Sequence, residues 1–228
     1  GDNVNFLKGS RRSWIQQRVE RCQSGKGCFP LLWSISPHSL HLAPEMARWY
    51  FNQSYITKHD YFVLPPSGHL YAYPAMMTKE DQASFVSNTE KECQLLNSSG
   101  VVTWEWFTSW EKAVKEFYPQ YGKNGIVRSG YAVNVPFMLP TFAFGPREFF
   151  KVFNDNFVLF RPFEWRGTSE SSSIPLGKHT VLSVRDMAKQ INGYPGGTVT
   201  AIYMTSDGGA KIDDFYQLVE QLDEHVSV

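Results

Sequence analysis

Short, nearly continuous apolar runs alternate along the chain with longer stretches in which apolar residues recur at helical spacing. The first such run is Phe29-Pro30-Leu31-Leu32-Trp33-Ser34-Ile35, followed by residues 61–64, 101–106, 125–129, 157–160 and 198–204. Runs this short and unbroken predict strands buried on both faces, as in a parallel sheet. Between them the period changes. Trp14, Ile15, Arg18 and Val19 predict a helix within residues 4–21, ended by the glycines at 25 and 27, and Pro44 opens another that carries Met46, Ala47, Trp49 and Tyr50 as far as Tyr50 or Phe51. Thr78-Lys79-Glu80-Asp81 is a capping pattern for a helix with Phe85, Val86, Cys93 and Leu96 on its inner face, closed by Gly100. Ser109 is expected to cap a helix through Phe117 that Pro119 stops, and residues 183–191 and 212–225 form the last two helices. Residues 135–150, with Pro136, Pro140, Gly145 and Pro146, carry no clear period.

The alternation of strand and helix runs from one end to the other without a linker, which predicts an α/β protein with mostly parallel strands. The number of steps and the richness of the strand-end loops favour a TIM-barrel-like (β/α) barrel, complete or incomplete, over an open sheet. A length of 228 residues fits a single domain spanning 1–228. Gly1-Asp2-Asn3 is neither a methionine start nor a signal peptide, so the chain reads as a fragment of a longer one, with a strand expected before it and Asp2 and Asn3 at that strand's C-terminal end.

Composition narrows the partners. The 22 basic and 22 acidic residues balance and no basic run occurs, which argues against nucleic acid. The 15% aromatic content, with 7 Trp, 11 Tyr and 17 Phe, suits both an aromatic-rich core and a protein that stacks flat apolar faces, as sugar-binding proteins do. No apolar run reaches the roughly 18–20 residues that span a bilayer. Of the 3 cysteines, Cys22 and Cys28 flank a loop and are placed to pair, leaving Cys93 as a buried thiol on a helix. The sequons Asn52-Gln53-Ser54 and Asn97-Ser98-Ser99 agree with a secreted or lumenal protein.

The stretch from Phe62 to Pro74 concentrates the chemistry. Pro65-Pro66 ends a strand, because neither residue has an N–H to donate, and Ser67-Gly68 lets the backbone turn. Tyr71 and Tyr73 then stand one residue apart in a loop of small residues. They either roof the core or form the wall of a binding site, and both readings fit the residues. In βα architectures the strand ends carry function. The polar residues there are Asp2, Asn3, Ser36, Ser67, His69, Tyr71, Tyr73, Glu105, Arg128, Ser129, Tyr131, Arg161, Glu164, Arg166, Ser206 and Asp207. Hydrolysis of a glycosidic bond at that face needs two carboxyl groups about 5–10 Å apart, and Asp2, Glu105, Glu164 and Asp207 are the candidates. Asp207 also reads as a turn residue, and Glu164 as an ion-pair partner of Arg161 or Arg166. His38 and His41 are bracketed by prolines with no carboxylate to complete a metal set, and read as surface histidines. No phosphate-cradling loop or nucleophile elbow is present, so no cofactor is expected.

Ser67-Gly68-His69-Leu70-Tyr71-Ala72-Tyr73-Pro74 resembles the signature of the GxGYxYP putative glycoside hydrolases. Asp60-Tyr61-Phe62-Val63, the opening Gly1-Asp2-Asn3, Ile35-Ser36-Pro37 with Ala43-Pro44, Arg161-Pro162-Phe163-Glu164-Trp165-Arg166-Gly167 and residues 197–228 are similar to that family as well. The resemblance implies a TIM-barrel-like carbohydrate-processing domain at the C-terminal end of a longer chain, preceded by N-terminal domains. The motif's second glycine is Leu70 here, and a leucine takes positive φ only at a cost. The expected activity is a glycoside hydrolase with a carbohydrate substrate, using the four carboxylates named above. Asn3, Ser67, Gly68, His69, Tyr71, Tyr73, Arg161 and Trp165 are its substrate-binding residues. The alternatives are a non-catalytic glycan-binding module, and a metal-assisted deacetylase-like reaction at Asp2 that would need His38, His41 or His69 beside it.

Overall fold

The computed structural model describes residues 9–25, 27–106, 108–133, 143–145, 148–165, 182–204 and 211–228, and for Ser10 and Glu164 the backbone only. Helix α1 (Ser10–Gln23) leads into strand β1 (Leu31–Ser34), a short α2 (Ser39–Leu42), α3 (Pro44–Thr57) and β2 (Asp60–Val63). A 3₁₀ turn (Pro74–Met76), α4 (Lys79–Leu95) and β3 (Gly100–Thr103) follow. Next come α5 (Trp110–Lys112), a π-helical turn (Ala113–Phe117) and a 3₁₀ segment (Tyr118–Lys123), then β4 (Ser129–Ala132), β5 (Phe150–Phe153), β6 (Phe157–Phe160) and β7 (Phe163–Trp165). The chain closes with α6 (Val184–Asn192), β8 (Ile202–Met204) and α7 (Ile212–Glu220).

The strands make an α/β fold but not the expected barrel. β1 pairs parallel with β2, and Leu64 continues β2 into a bridge with Val101 of β3. β3, β4 and β6 are parallel neighbours in turn. There the succession stops, because β5 folds back antiparallel onto β6 through Asn154 and Asp155, both at positive φ, and occupies the edge a closing strand would need. β7 begins just after Pro162 and pairs with β8 in a separate two-stranded ladder. Among the described residues no ladder closes the ring, and β5, for which the sequence predicts no strand, is the element that prevents it.

Local signals placed several helix ends well. Thr78 accepts a hydrogen bond from the Asp81 N–H and Ser183 from the Asp186 N–H, each capping the helix it precedes. α3 runs past Phe51 to Thr57 and ends at Lys58, which takes the left-handed conformation. Pro119 does not stop the chain's winding, since it sits in the first turn of the 3₁₀ segment, where its missing N–H costs nothing.

Two cores result. The larger joins Ile15, Leu64, Phe85, Val101, Trp110, Tyr118, Tyr121, Phe157 and Leu159, and the smaller joins Phe29, Trp165, Met187, Phe215 and Tyr216. Arg18 of α1 lies between them, fully buried. Its Nε donates to Asp60 Oδ1 at 2.5 Å, Nη2 to the Phe29 carbonyl at 2.7 Å and Nη1 to the Tyr216 hydroxyl at 3.4 Å. Trp33 Nε1 also donates to Asp60 Oδ1, at 2.6 Å. One guanidinium thus ties α1, the entry to β1, the start of β2 and α7 into a single node. Cys22 and Cys28 form a disulfide at the end of α1, and Cys93 is a buried free thiol.

Candidate functional site

The loop after β2 is held on three sides by its own backbone and side chains. Leaving Leu64 at Pro65-Pro66, it folds on itself: Gly68 N–H donates to the Pro65 carbonyl at 2.8 Å and Ser67 N–H to the Leu70 carbonyl at 3.0 Å. The buried Ser67 hydroxyl sits 2.6 Å from the Ala72 carbonyl and 2.8 Å from the Trp104 carbonyl, so its proton ties the loop to itself or to the chain leaving β3. Gly68 has φ 132 and lies against α4, where a Cβ would come within 2.7 Å of Thr89 Oγ1. Only glycine combines that conformation with that approach. His69 N–H donates to Thr89 Oγ1 at 3.0 Å, and its ring Nδ1 lies 2.7 Å from Glu92 Oε1. Leu70, which replaces a motif glycine, is not among the residues at positive φ and is half exposed, so leucine fits there without backbone strain.

Beyond this anchor the loop builds an aromatic wall with the chain that leaves β3. Tyr71 meets Trp104 edge-on at 4.4 Å between ring centroids, while Tyr73 meets Trp104 at 6.3 Å and Trp106 at 5.7 Å. Tyr71 and Trp106 are exposed, and Tyr73 and Trp104 are partly so. The sequence predicts strand through Trp104-Glu105-Trp106, but β3 ends at Thr103 and the two tryptophans form the wall's second side. They carry the signal that the sequence reading passed over: two tryptophans on either side of an acid, just past a strand end.

Glu105 points inward and is 0% exposed. Its Oε1 accepts from the Ala75 N–H at 2.9 Å and Oε2 from the Ser109 hydroxyl at 2.9 Å. The Ser109 hydroxyl is also 2.9 Å from the Trp106 carbonyl, so it is shared between that group and Glu105 and does not cap α5. Burial pushes the Glu105 carboxyl up to about 7, outweighing those two hydrogen bonds and the Lys112 charge, all of which pull it down. Nearby, the Trp104 and Trp110 indole N–H groups are buried without a hydrogen-bond partner among the described residues, and the buried Tyr118 and Tyr121 hydroxyls face those of Thr103 and Thr89. Burial raises the Tyr118 phenol well above its ordinary range, and the Glu105 charge adds to the effect.

The structure thus brings Ser67, Gly68, His69, Tyr71, Tyr73 and Glu105 into one neighbourhood. Arg161 and Trp165 stand elsewhere. Arg161 Nη1 donates to the Gly145 carbonyl at 3.0 Å, with its guanidinium 5.9 Å from the Phe144 ring and 5.7 Å from the Phe149 ring. Trp165 is fully buried in the smaller core, edge-on to Phe215, with its indole N–H donating to the Leu182 carbonyl at 3.0 Å. Glu164 lies on β7 opposite Tyr203, with its side chain outside the described atoms. Asp2, Asn3 and Asp207 lie outside the described residues. His38 and His41 are exposed, and the His38 ring is 6.2 Å from that of His69. Among the described residues no group of three or more His, Cys, Asp or Glu side chains is arranged to hold a metal ion, and no helix is long and apolar enough to cross a membrane.

Comparison with known proteins adds two likenesses. A family model described as the GxGYxYP putative glycoside hydrolase C-terminal domain matches residues 1–144. The stretches around Arg161–Gly167 and at 197–228 fall outside that match. A crystal structure of a putative hydrolase from Bacteroides thetaiotaomicron VPI-5482 superposes with a TM-score of 0.71 at 19% sequence identity, over 100% of this chain and 41% of that one. At that identity the likeness is one of fold, and this chain spans less than half of that protein's length. No curated protein matches it in sequence.

Proposed function

The chain belongs to the GxGYxYP putative glycoside hydrolase C-terminal domain family, and from that premise we propose that its aromatic wall binds a glycan within an enzyme that hydrolyses a glycosidic bond. The observation that carries this reading is the wall itself. Tyr71, Tyr73, Trp104 and Trp106 converge from the ends of β2 and β3, with two of the four rings open to solvent. Such rings offer flat apolar faces for the C–H side of a sugar and polar edges for its hydroxyls. Hydrolysis would then fall to strand-end carboxylates, with Asp2, Glu164 and Asp207 as the candidates. Glu105, enclosed and bonded at both oxygens, is better suited to holding the wall against Ala75 and Ser109 than to reaching a substrate.

That enclosure also favours a second reading, a glycan-binding module without an acid and base pair of its own. A glycan panel separates the two. Binding weakened in Tyr73→Ala and Trp106→Ala, with turnover lost in Asp2→Asn or Glu164→Gln, supports the hydrolase. Binding with no turnover from the full-length protein supports the module, and no binding to any glycan overturns both. We further propose that residues 1–228 act as one domain at the C-terminal end of a longer chain with N-terminal domains, in keeping with the family's description and with the 41% coverage of the Bacteroides protein. A secreted or lumenal location agrees with the Cys22–Cys28 disulfide, since such bonds persist in oxidising compartments.

A further inference from the structure

We propose that Asn97 is an attachment site for an N-linked glycan. Asn97-Ser98-Ser99 is an Asn-X-Ser acceptor sequence, and it lies in the turn between the end of α4 and the start of β3. Asn97 is exposed, with φ 49, a conformation that asparagine adopts more readily than most residues. Beside it an open depression lined by Gln94, Ser98, Ser99, Gly125, Ile126 and Arg128 leaves room for the first sugar. The turn is held by the backbone and by the neighbouring Ser98, whose hydroxyl donates to the Phe62 carbonyl at 2.7 Å. Ser99, the hydroxyl residue of the acceptor sequence, is itself exposed.

The second acceptor sequence is a control within the same molecule. Asn52-Gln53-Ser54 lies inside α3, where residues two apart do not face each other, and the Ser54 hydroxyl donates to the Asp60 carbonyl. A turn can bring the hydroxyl of the third residue to the asparagine amide, as side chains of this kind do in turn motifs. Asn97 and Ser99 are therefore both open to a transferase before and after folding, whereas the Ser54 hydroxyl is engaged once α3 forms. In the transfer the Asn97 amide nitrogen attacks the anomeric carbon of a lipid-pyrophosphate-linked oligosaccharide. The C–N bond forms, the anomeric C–O bond breaks, the lipid pyrophosphate leaves and the amide proton passes to a base of the transferase. The attached glycan would stand at the N-terminal end of β3, while the aromatic wall lies beyond the C-terminal end of that strand, so the wall stays open.

The inference rests on the secreted or lumenal reading, and expression behind a secretory leader in cultured human cells separates the two, because every copy then meets the transferase. Occupancy is measured on total protein, folded or not, by intact mass before and after treatment with an N-glycan amidase and by mapping the resulting aspartate. The expected result is a glycan at Asn97 that is lost in Asn97→Asp and in Ser99→Ala and retained in Asn52→Asp. Asn97→Asp keeps a residue that tolerates the turn's conformation, and Ser99→Ala leaves Asn97 in place, so a folding defect in one does not mask the other. An unmodified Asn97, or a glycan that survives both variants, overturns the proposal. An occupied Asn97 on the forced route, with no glycan on protein from its native source, would instead count against the secreted or lumenal reading.

Discussion

Replacing Glu105 with glutamine removes a buried titration from the molecule, and the pH dependence of stability should register the loss. In the folded chain burial lifts this carboxyl from 4.5 to about 7. Between those values the folded state holds a proton that the unfolded state has released, so stability falls as pH rises. The contribution is fully present below about 4.5 and is lost as the pH passes through about 7. At about 1.4 kcal/mol per pH unit, a span from 4.5 to about 7 amounts to roughly 3 kcal/mol as an upper bound. The assay is urea unfolding followed by tryptophan fluorescence, run on both proteins at about pH 4.5, 6 and 8. Groups common to both cancel in the difference. Glutamine keeps an acceptor for one of the two donors, Ala75 N–H or Ser109 hydroxyl, and turns its amide towards the other. The absolute offset is therefore not the test, and its pH dependence is. The stability of the parent relative to Glu105→Gln should fall across the range, by at most about 3 kcal/mol. A difference that stays flat, or rises with pH, would mean that the hydrogen bonds hold Glu105 ionised throughout, and would refute the account of an enclosed, part-protonated carboxyl.

Three other outcomes follow from particular contacts. Arg18→Met strands the Asp60 carboxylate in the interior with Trp33 as its remaining side-chain partner, and should cost about 3–5 kcal/mol in urea unfolding, much of it recovered in Arg18→Met with Asp60→Asn. A single-variant cost below about 1 kcal/mol would contradict a buried pair. Gly68→Ala forces a Cβ within 2.7 Å of Thr89 at φ 132 and should lower stability by about 1–3 kcal/mol while shifting the near-ultraviolet circular dichroism of the wall. Unchanged spectra and stability would show that the loop does not need its contact with α4. Tyr73→Ala and Trp106→Ala should each weaken glycan binding by about 2–10-fold, the equivalent of roughly 0.5–1.5 kcal/mol, without altering far-ultraviolet circular dichroism. Equal affinity in all three proteins would place the glycan elsewhere.

Much of the candidate site could be read from the sequence because its signals are local. Pro65-Pro66 ends β2 wherever that strand pairs, and Gly68 announces an unusual backbone before its neighbour Thr89 is known. Tyr71 and Tyr73 were visible as a pair, but their partners Trp104 and Trp106 were not, because those residues were read as strand and therefore as core. Ser109 looked like a helix cap, since a cap is judged from the residues after it, and the carboxyl that captures its hydroxyl precedes it. Arg161 follows β6 directly, but Trp165 belongs to a strand of its own, β7, and which core or loop a strand end faces is a tertiary matter.

The sequence by itself determined the general alternation of strands and helices, the cap at Thr78 and the position of the aromatic loop, because each depends on residues a few positions apart. Only the tertiary structure decided that the sheet does not close. Closure depends on which strand takes the free edge of β6, and β5, a strand of 4 residues that does not stand out in the sequence, takes it antiparallel. Only the tertiary structure, likewise, enclosed Glu105. A glutamate at a strand end is drawn as exposed on a topology diagram, and it is the packing of Ala75 and Ser109 against it, from loops on either side, that takes it out of water and raises its carboxyl to about 7.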